Sequence, residues 1–216
     1  VVIATPAWMH SEQLEELSDV HAVLVEKPPA LSGAAWRRRP DIARLAVGFN
    51  WRFHQAIGPF LRPAPARLHL TAVDALWTFR GGDHLFDRSK GGGIVLTSGV
   101  HSIDLACHIM GGPPQVLAGS STDHSLHLEL AHPAGRSRIS LEWTNAGKPF
   151  SVIEGSWPGR KPYDRPTSYA APLTVPSPMH KRMMEQFVTF ADTGLPGLLC
   201  MPEEAQWVLD VVDHLF

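Results

Sequence analysis

Three short constellations in this chain of 216 residues carry side chains able to move protons or hold charge. Lys27 follows Glu26 and precedes Pro28 and Pro29 at the end of an aliphatic run over residues 22–25. An ammonium fixed there by a stiff Pro-Pro segment can stabilise negative charge developing on an oxygen, or shuttle a proton once burial lowers its pKa. The bland alternative is a strand-end Glu–Lys pair on the surface. Downstream, Gly91 to Gly93 open a helix predicted over residues 93–110. At about 100° per residue, Thr97, His101, Asp104 and His108 share one narrow sector, and Leu96, Gly99, Ile103, Ala106 and Met110 the opposite one. The second face is core. The first is either a solvated polar face or a site offering a hydroxyl, two imidazoles and a carboxylate. An imidazole with an ordinary pKa near about 6.5 suits general-base work at neutral pH. The third constellation is Thr5-Pro6 with His10 four residues beyond the proline. It is either a ligand wall at a strand end or the ordinary opening of a helix.

These side chains need strands and helices to hold them. Residues 1–5, 22–25 and 45–49 are nearly continuous in aliphatic side chains, as parallel strands covered on both faces are. Helical patterns over residues 8–17 and 34–43 separate them. After a short helix near residues 55–61, longer and partly alternating strands are predicted at 67–76, 115–119, 126–131, 138–144 and 150–154. Turn signals such as Pro133-Ala134-Gly135 and Asn145-Ala146-Gly147 join them. Two helices, 179–192 and 202–214, close the chain with apolar stripes explained by core packing. The expected fold class is α/β: part of a doubly wound domain over residues 1–54, then an α+β domain over 55–216 with a mainly antiparallel open sheet and the 93–110 helix on one face.

The order strand-Thr-Pro, strand-Glu-Lys-Pro, then Gly-Gly-Gly…His-x-x-Asp resembles the Gfo/Idh/MocA family of NAD(P)-dependent sugar and cyclitol dehydrogenases. The stretch Gly48-Phe49-Asn50-Trp51-Arg52-Phe53 resembles that family's passage from the cofactor domain into the substrate domain. The resemblance implies hydride transfer between a secondary alcohol of a sugar, sugar derivative or cyclitol and NAD or NADP, in the cytoplasm. It implies that Lys27 stands beside the nicotinamide and the reacting hydroxyl, that His101 is the base, and that Asp104 orients or balances charge nearby. It assigns Thr5, Pro6, His10, Glu26, Lys27 and Pro28 to the cofactor crevice, and Thr97, His101 and Arg52 to the substrate, although Arg52 as a purely structural joint fits equally. It further implies that the open sheet face serves a homo-oligomer.

Two departures qualify the resemblance. No strand with a G-x-G-x-x-G turn precedes Val1, so the chain is expected to lack the first Gly-rich part of a Rossmann domain. A micromolar dinucleotide site is worth about 8 kcal/mol, and three missing charge-assisted hydrogen bonds would remove about 5–9 kcal/mol; the chain alone is not expected to hold NAD(P) usefully. The second departure is Thr97, at a position where many members carry a carboxylate. The competing expectation is a non-catalytic relative acting as a binding or assembly module without cofactor.

Composition excludes other classes. Nineteen Lys and Arg against twenty-one Asp and Glu leave a net charge of −2, which favours neither nucleic acid nor an anionic membrane. Cys107 and Cys200 form no C-x-x-C pair. No H-E-x-x-H is present, and His124, His127 and His132 are irregularly spaced, so no metal is expected. No apolar run reads as a membrane span.

Overall fold

The computed structural model describes residues 1–61, 63–75, 86–144, 150–157, 169–170 and 178–216. The three aliphatic runs form β1 (Val2–Ile3), β2 (Val23–Val25) and β3 (Leu45–Val47), parallel and in that order. The β2 side chains are fully buried on both faces, which is why no polar residue alternates within them. β1 is the outer strand, with Val1 and Val2 exposed, an apolar edge of the kind that invites pairing.

Helix α1 (His10–Glu16) follows a single 3-10 turn, Ala7–Met9, and so begins two residues later than the pattern suggests. Helix α2 (Gly33–Arg37) is capped by Ser32, whose hydroxyl accepts from the Ala35 amide at 3.1 Å. The expected helix over 34–43 stops early because Pro40 disfavours helical backbone at Arg39. The segment expected as one helix near 55–61 is a 3-10 turn, Gln55–Ile57, running into α3 (Gly58–Leu61).

The second sheet comprises β4 (Arg67–Ala75), β5 (Gln115–Ser121), β6 (Ser125–His132), β7 (Gly135–Thr144), β8 (Phe150–Ser156) and β9 (Tyr169–Ala170), in the order β5-β6-β7-β4-β8-β9. All its pairings are antiparallel except β4 with β7. Strict alternation puts Leu68, Leu70, Ala72, Leu126, Leu128, Leu130, Ile139 and Leu141 into the core, with Arg67, His69, His127, Arg136 and Arg138 outside. The loops at residues 145–149 and the long segment at 158–168 and 171–177, which includes Arg160, Lys161 and Arg165, lie outside the described residues.

Gly135 closes the β6–β7 turn with φ +151°, and a Cβ there would press into the Ala66 carbonyl. Arg136 donates to that same carbonyl at 3.0 Å. Gly135→Ala is therefore expected to lose about 3 kcal/mol of stability, measured as a shift in the chemical-denaturation midpoint; an unchanged midpoint would contradict this geometry.

The helix predicted over 93–110 is not one uniform α-helix. Val95–Gly99 forms a π turn before α4 (Val100–Met110). Helix α4 packs on β4 and β7, and Gly99 lets Leu126 approach: a Cβ would lie 2.7 Å from its Cδ2. The whole helical run Arg88–Met110 is long and apolar enough to cross a membrane, contrary to the sequence expectation, but its apolar window is 83% buried in the core.

Helices α5 (Pro178–Thr193) and α6 (Pro202–Asp213) return to the first layer. Trp36 donates its indole N–H to Pro202 O at 2.9 Å, the Gly33 amide donates to the Asp213 carboxylate at 3.0 Å, and Val47 bridges to Cys200. Helix α6 packs against α2, α4 and β3. The three-stranded sheet is thus covered by residues from the far end of the chain.

Candidate active site

Lys27 sits at the carboxyl end of β2, and the peptide joining it to Pro28 is cis. Its ammonium donates to the Thr97 carbonyl at 2.6 Å. A π turn closes i→i+5 rather than i→i+4 bonds and is frequent at functional sites; Thr97 lies at its centre. The bond therefore ties the parallel sheet to the helix that carries His101. Burial is the larger influence on Lys27 and lowers its pKa, against the raising pull of the Glu26 and Asp74 carboxylates.

Between the two layers lies a crevice of about 250 Å³, its lining including Thr5, Pro6, Trp8, Lys27, Pro28 and Thr97 together with Lys90, Gly91 and Gly92. It opens at the carboxyl ends of β1 and β2, the place where open α/β sheets hold ligands.

His101 follows Thr97 by four residues. Its ring stacks on Trp51 with centroids 5.3 Å apart and meets Phe49 edge-on at 6.0 Å. Burial pushes its pKa well below the ordinary imidazole value, and the charges of Lys27 and His180 push the same way. The ring nitrogen Nδ1 is buried with no hydrogen-bond partner, as is the side-chain oxygen of nearby Asn50, whose amide nitrogen lies 2.8 Å from His180 Nε2. The charge of Lys27 reaches His101, although His101 is not among the residues lining the crevice.

The remaining sequence-predicted residues divide. Thr5 and Pro6 line the crevice, with the Thr5 hydroxyl donating to Gln13 at 2.5 Å. His10 does not face it. The ring is buried, with Nδ1 2.9 Å from Pro28 O and Nε2 2.8 Å from Thr5 O, so it straps together the loops after β1 and β2. Glu26 folds back: one carboxylate oxygen accepts from the Lys27 amide at 3.3 Å, and the other crowds Gly48, where a Cβ would lie 3.1 Å away.

Asp104 and Arg52 turn away from the crevice altogether. Arg52 is 1% exposed and Asp104 0%; they meet through Nε at 2.9 Å and Nη2 at 2.6 Å. Arg52 Nη1 also donates to Glu204 at 3.0 Å. Beside two carboxylates Arg52 is held charged, whereas burial raises Asp104 against the opposing pull of the guanidinium. A guanidinium so engaged joins α4, α6 and the segment after β3. The polar sector expected on the helix is thus neither solvated nor a single site: Asp104 belongs to a buried ion pair, and His101 to a stack on Trp51. Nor is His108 solvated: burial lowers it to about 4.

Sequence reasoning missed Asp74, Ser98 and His180. The Ser98 hydroxyl donates to Asp74 Oδ2 at 2.7 Å and accepts from the Trp143 indole at 3.1 Å. Nothing in the local spacing marks Asp74, which ends an alternating strand. His180 opens a helix remote in sequence from every motif. Among the described residues no group of three His, Cys, Asp or Glu side chains converges on a metal position.

Residues 66–136 match the model of the GFO/IDH/MocA C-terminal domain. Among curated proteins none matches. Solved structures do. A probable dehydrogenase from Thermotoga maritima superposes with a TM-score of 0.77 at 18% identity, covering 97% of this chain and 74% of that one. The WlbA (WbpB) dehydrogenase from Thermus thermophilus, in complex with NAD and UDP-GlcNAcA, gives 0.72 at 17%, over 97% and 69%. KijD10, a 3-ketoreductase from Actinomadura kijaniata in complex with NADP, gives 0.71 at 15%, over 100% and 76%. At these identities the likeness is one of fold.

Proposed function

We propose, from the premise that residues 66–136 belong to the GFO/IDH/MocA C-terminal domain family, that the crevice between the two layers is the reaction site of an NAD(P)-dependent oxidoreductase. Its substrate is a secondary alcohol of a sugar or sugar derivative, or the corresponding ketone. The observation that carries this is the Lys27 ammonium bridging the sheet end to the π turn, with His101 one turn further along the same helix. Fold relatives crystallised with NAD and a nucleotide sugar, or with NADP, support it. We divide the work at residue 54, with residues 1–54 facing the cofactor and 55–216 facing the substrate.

The residues present fit the nicotinamide end of a dinucleotide. Thr5, Pro6 and Pro28 give a firm wall at the strand ends, and Gly91 and Gly92 add lining that carries no side chain. When bound, the nicotinamide supplies the acceptor for the hydride that leaves the carbinol carbon with its electron pair. Lys27 polarises the substrate oxygen and stabilises its developing charge. His101 takes the hydroxyl proton. With its pKa held low, the imidazole is neutral, and so able to accept, down to a pH below the usual imidazole range.

The test is NAD(P)-linked oxidation of a panel of sugar alcohols and nucleotide sugars, followed by nicotinamide absorbance across pH. The acid limb of kcat/KM is expected below about pH 6.5 and should disappear in His101→Gln, with a loss of about 10²–10⁴-fold. Turnover indifferent to His101 would remove it from this role. No turnover with any of the panel would favour the non-catalytic binding module.

A further inference from the structure

A partly buried ammonium needs a counter-charge, and among the described residues Lys27 has no carboxylate within ion-pair distance. Its own neighbour Glu26 is folded back over Gly48 and onto the Lys27 amide. Lys90, on the crevice wall, is a like charge. The Lys27 ammonium bonds the Thr97 carbonyl, and the next residue, Ser98, bonds the Asp74 carboxylate at 2.7 Å. Asp74 comes from β4 of the other sheet, and Trp143 on β7 fixes the same Ser98 hydroxyl at 3.1 Å. Strand, strand and π turn thus converge to hold one carboxylate beside the crevice.

We propose that Asp74 is the counter-ion of Lys27, a positioning residue that acts on it from behind the Thr97-Ser98 segment and is itself oriented by Ser98 and Trp143. This rests on the reading of the crevice as a reaction site. Burial raises the Asp74 pKa while Ser98 and Lys27 draw it down, and Asp74 in turn raises that of Lys27. The charged groups around Lys27 are thus Glu26 and Asp74, which favour its cationic form, and His101 and Lys90 when cationic, which oppose it. Among the described residues, removing Asp74 leaves only Glu26 to favour the ammonium. The chemistry this serves is hydrogen-bond donation to the oxygen as it gains alkoxide charge: a Lys27 that stays protonated polarises the substrate oxygen, and one that loses its proton too early does not.

The experiment is Asp74→Asn, near-isosteric and still able to accept from Ser98. Nζ resonances of protein labelled with 15N-lysine are titrated without cofactor, with Lys27→Arg identifying the Lys27 signal. The Lys27 midpoint is expected to move to lower pH in Asp74→Asn. In turnover, kcat is expected to fall about 10-fold or more with little change in KM, and the basic limb to move to lower pH. A Lys27 midpoint identical in wild type and Asp74→Asn overturns the pairing, whether or not the protein turns over. A shifted midpoint in a protein whose turnover ignores Lys27 supports the pairing and overturns the reaction-site reading instead. If Asp74→Asn fails to fold, Ser98→Ala carries the same test, since a carboxylate released from Ser98 holds Lys27 less well and its midpoint again falls.

Discussion

Replacing Lys27 by alanine is expected to lower NAD(P)-linked turnover about 10²–10⁴-fold while leaving the fold intact. The two outcomes separate because the ammonium does two different things. In the resting protein it makes a single bond to the Thr97 carbonyl, and a charge-assisted hydrogen bond contributes about 1.5–3 kcal/mol at most. Against that stands the cost of burying the ammonium, the same burial that lowers its pKa, so the net change in stability is small. In the reaction the ammonium would face an oxygen that gains charge only as the hydride departs, an interaction stronger in the transition state than before it. Lys27→Arg should recover little, because a planar guanidinium neither occupies the same point nor releases its proton. Single-turnover kinetics, with circular dichroism as the control for folding, measure both parts. Turnover equal to wild type would remove Lys27 from the chemistry.

The largest expected effect on stability belongs to Arg52. Arg52→Met leaves Asp104, with no exposed surface, facing an apolar side chain, and leaves Glu204 without its partner. Breaking a buried pair from one side typically costs about 3–5 kcal/mol, a large share of the stability of an ordinary domain. Asp104→Leu alone is expected to be comparably harmful, because a buried guanidinium then lacks its main acceptor. The double replacement should cost much less than the sum, since no fully buried charge remains unpaired and only the partly exposed Glu204 still loses its ionic partner. Denaturant unfolding of the two single variants and the double variant measures the coupling. Additive losses would mean that the pair does not function as a unit.

The fold was readable because its patterns are local. Fully aliphatic runs at 22–25 and 45–49 mark strands covered on both faces, and strict alternation through Leu126–Leu130 and Ile139–Leu141 marks a sheet with one side open. Lys27 and His101 were readable as candidates because each lies near the end or the start of an element with a recognisable punctuation. Three things were not. The π turn at Val95–Gly99 has no compositional signature, so a uniform period of about 100° carried Thr97 onto the face of His101 as though the helix were regular throughout. The partners of Arg52 lie 52 and 152 residues away in the chain, and no spacing rule reaches that far. Asp74 is one polar residue at the end of an alternating strand, where polar residues ordinarily face water. What makes it notable is Ser98, which only the packing of helix on sheet brings within reach.

The way α6 folds back over the first layer sets an order of events during synthesis. Gly33, Trp36, Arg37 and Arg52 wait for Asp213, Pro202, Asp210 and Glu204, partners at least 152 positions further along the chain. The wall carrying Lys27 can therefore be completed only once those residues have been synthesised, and until then its aliphatic strands lack their cover.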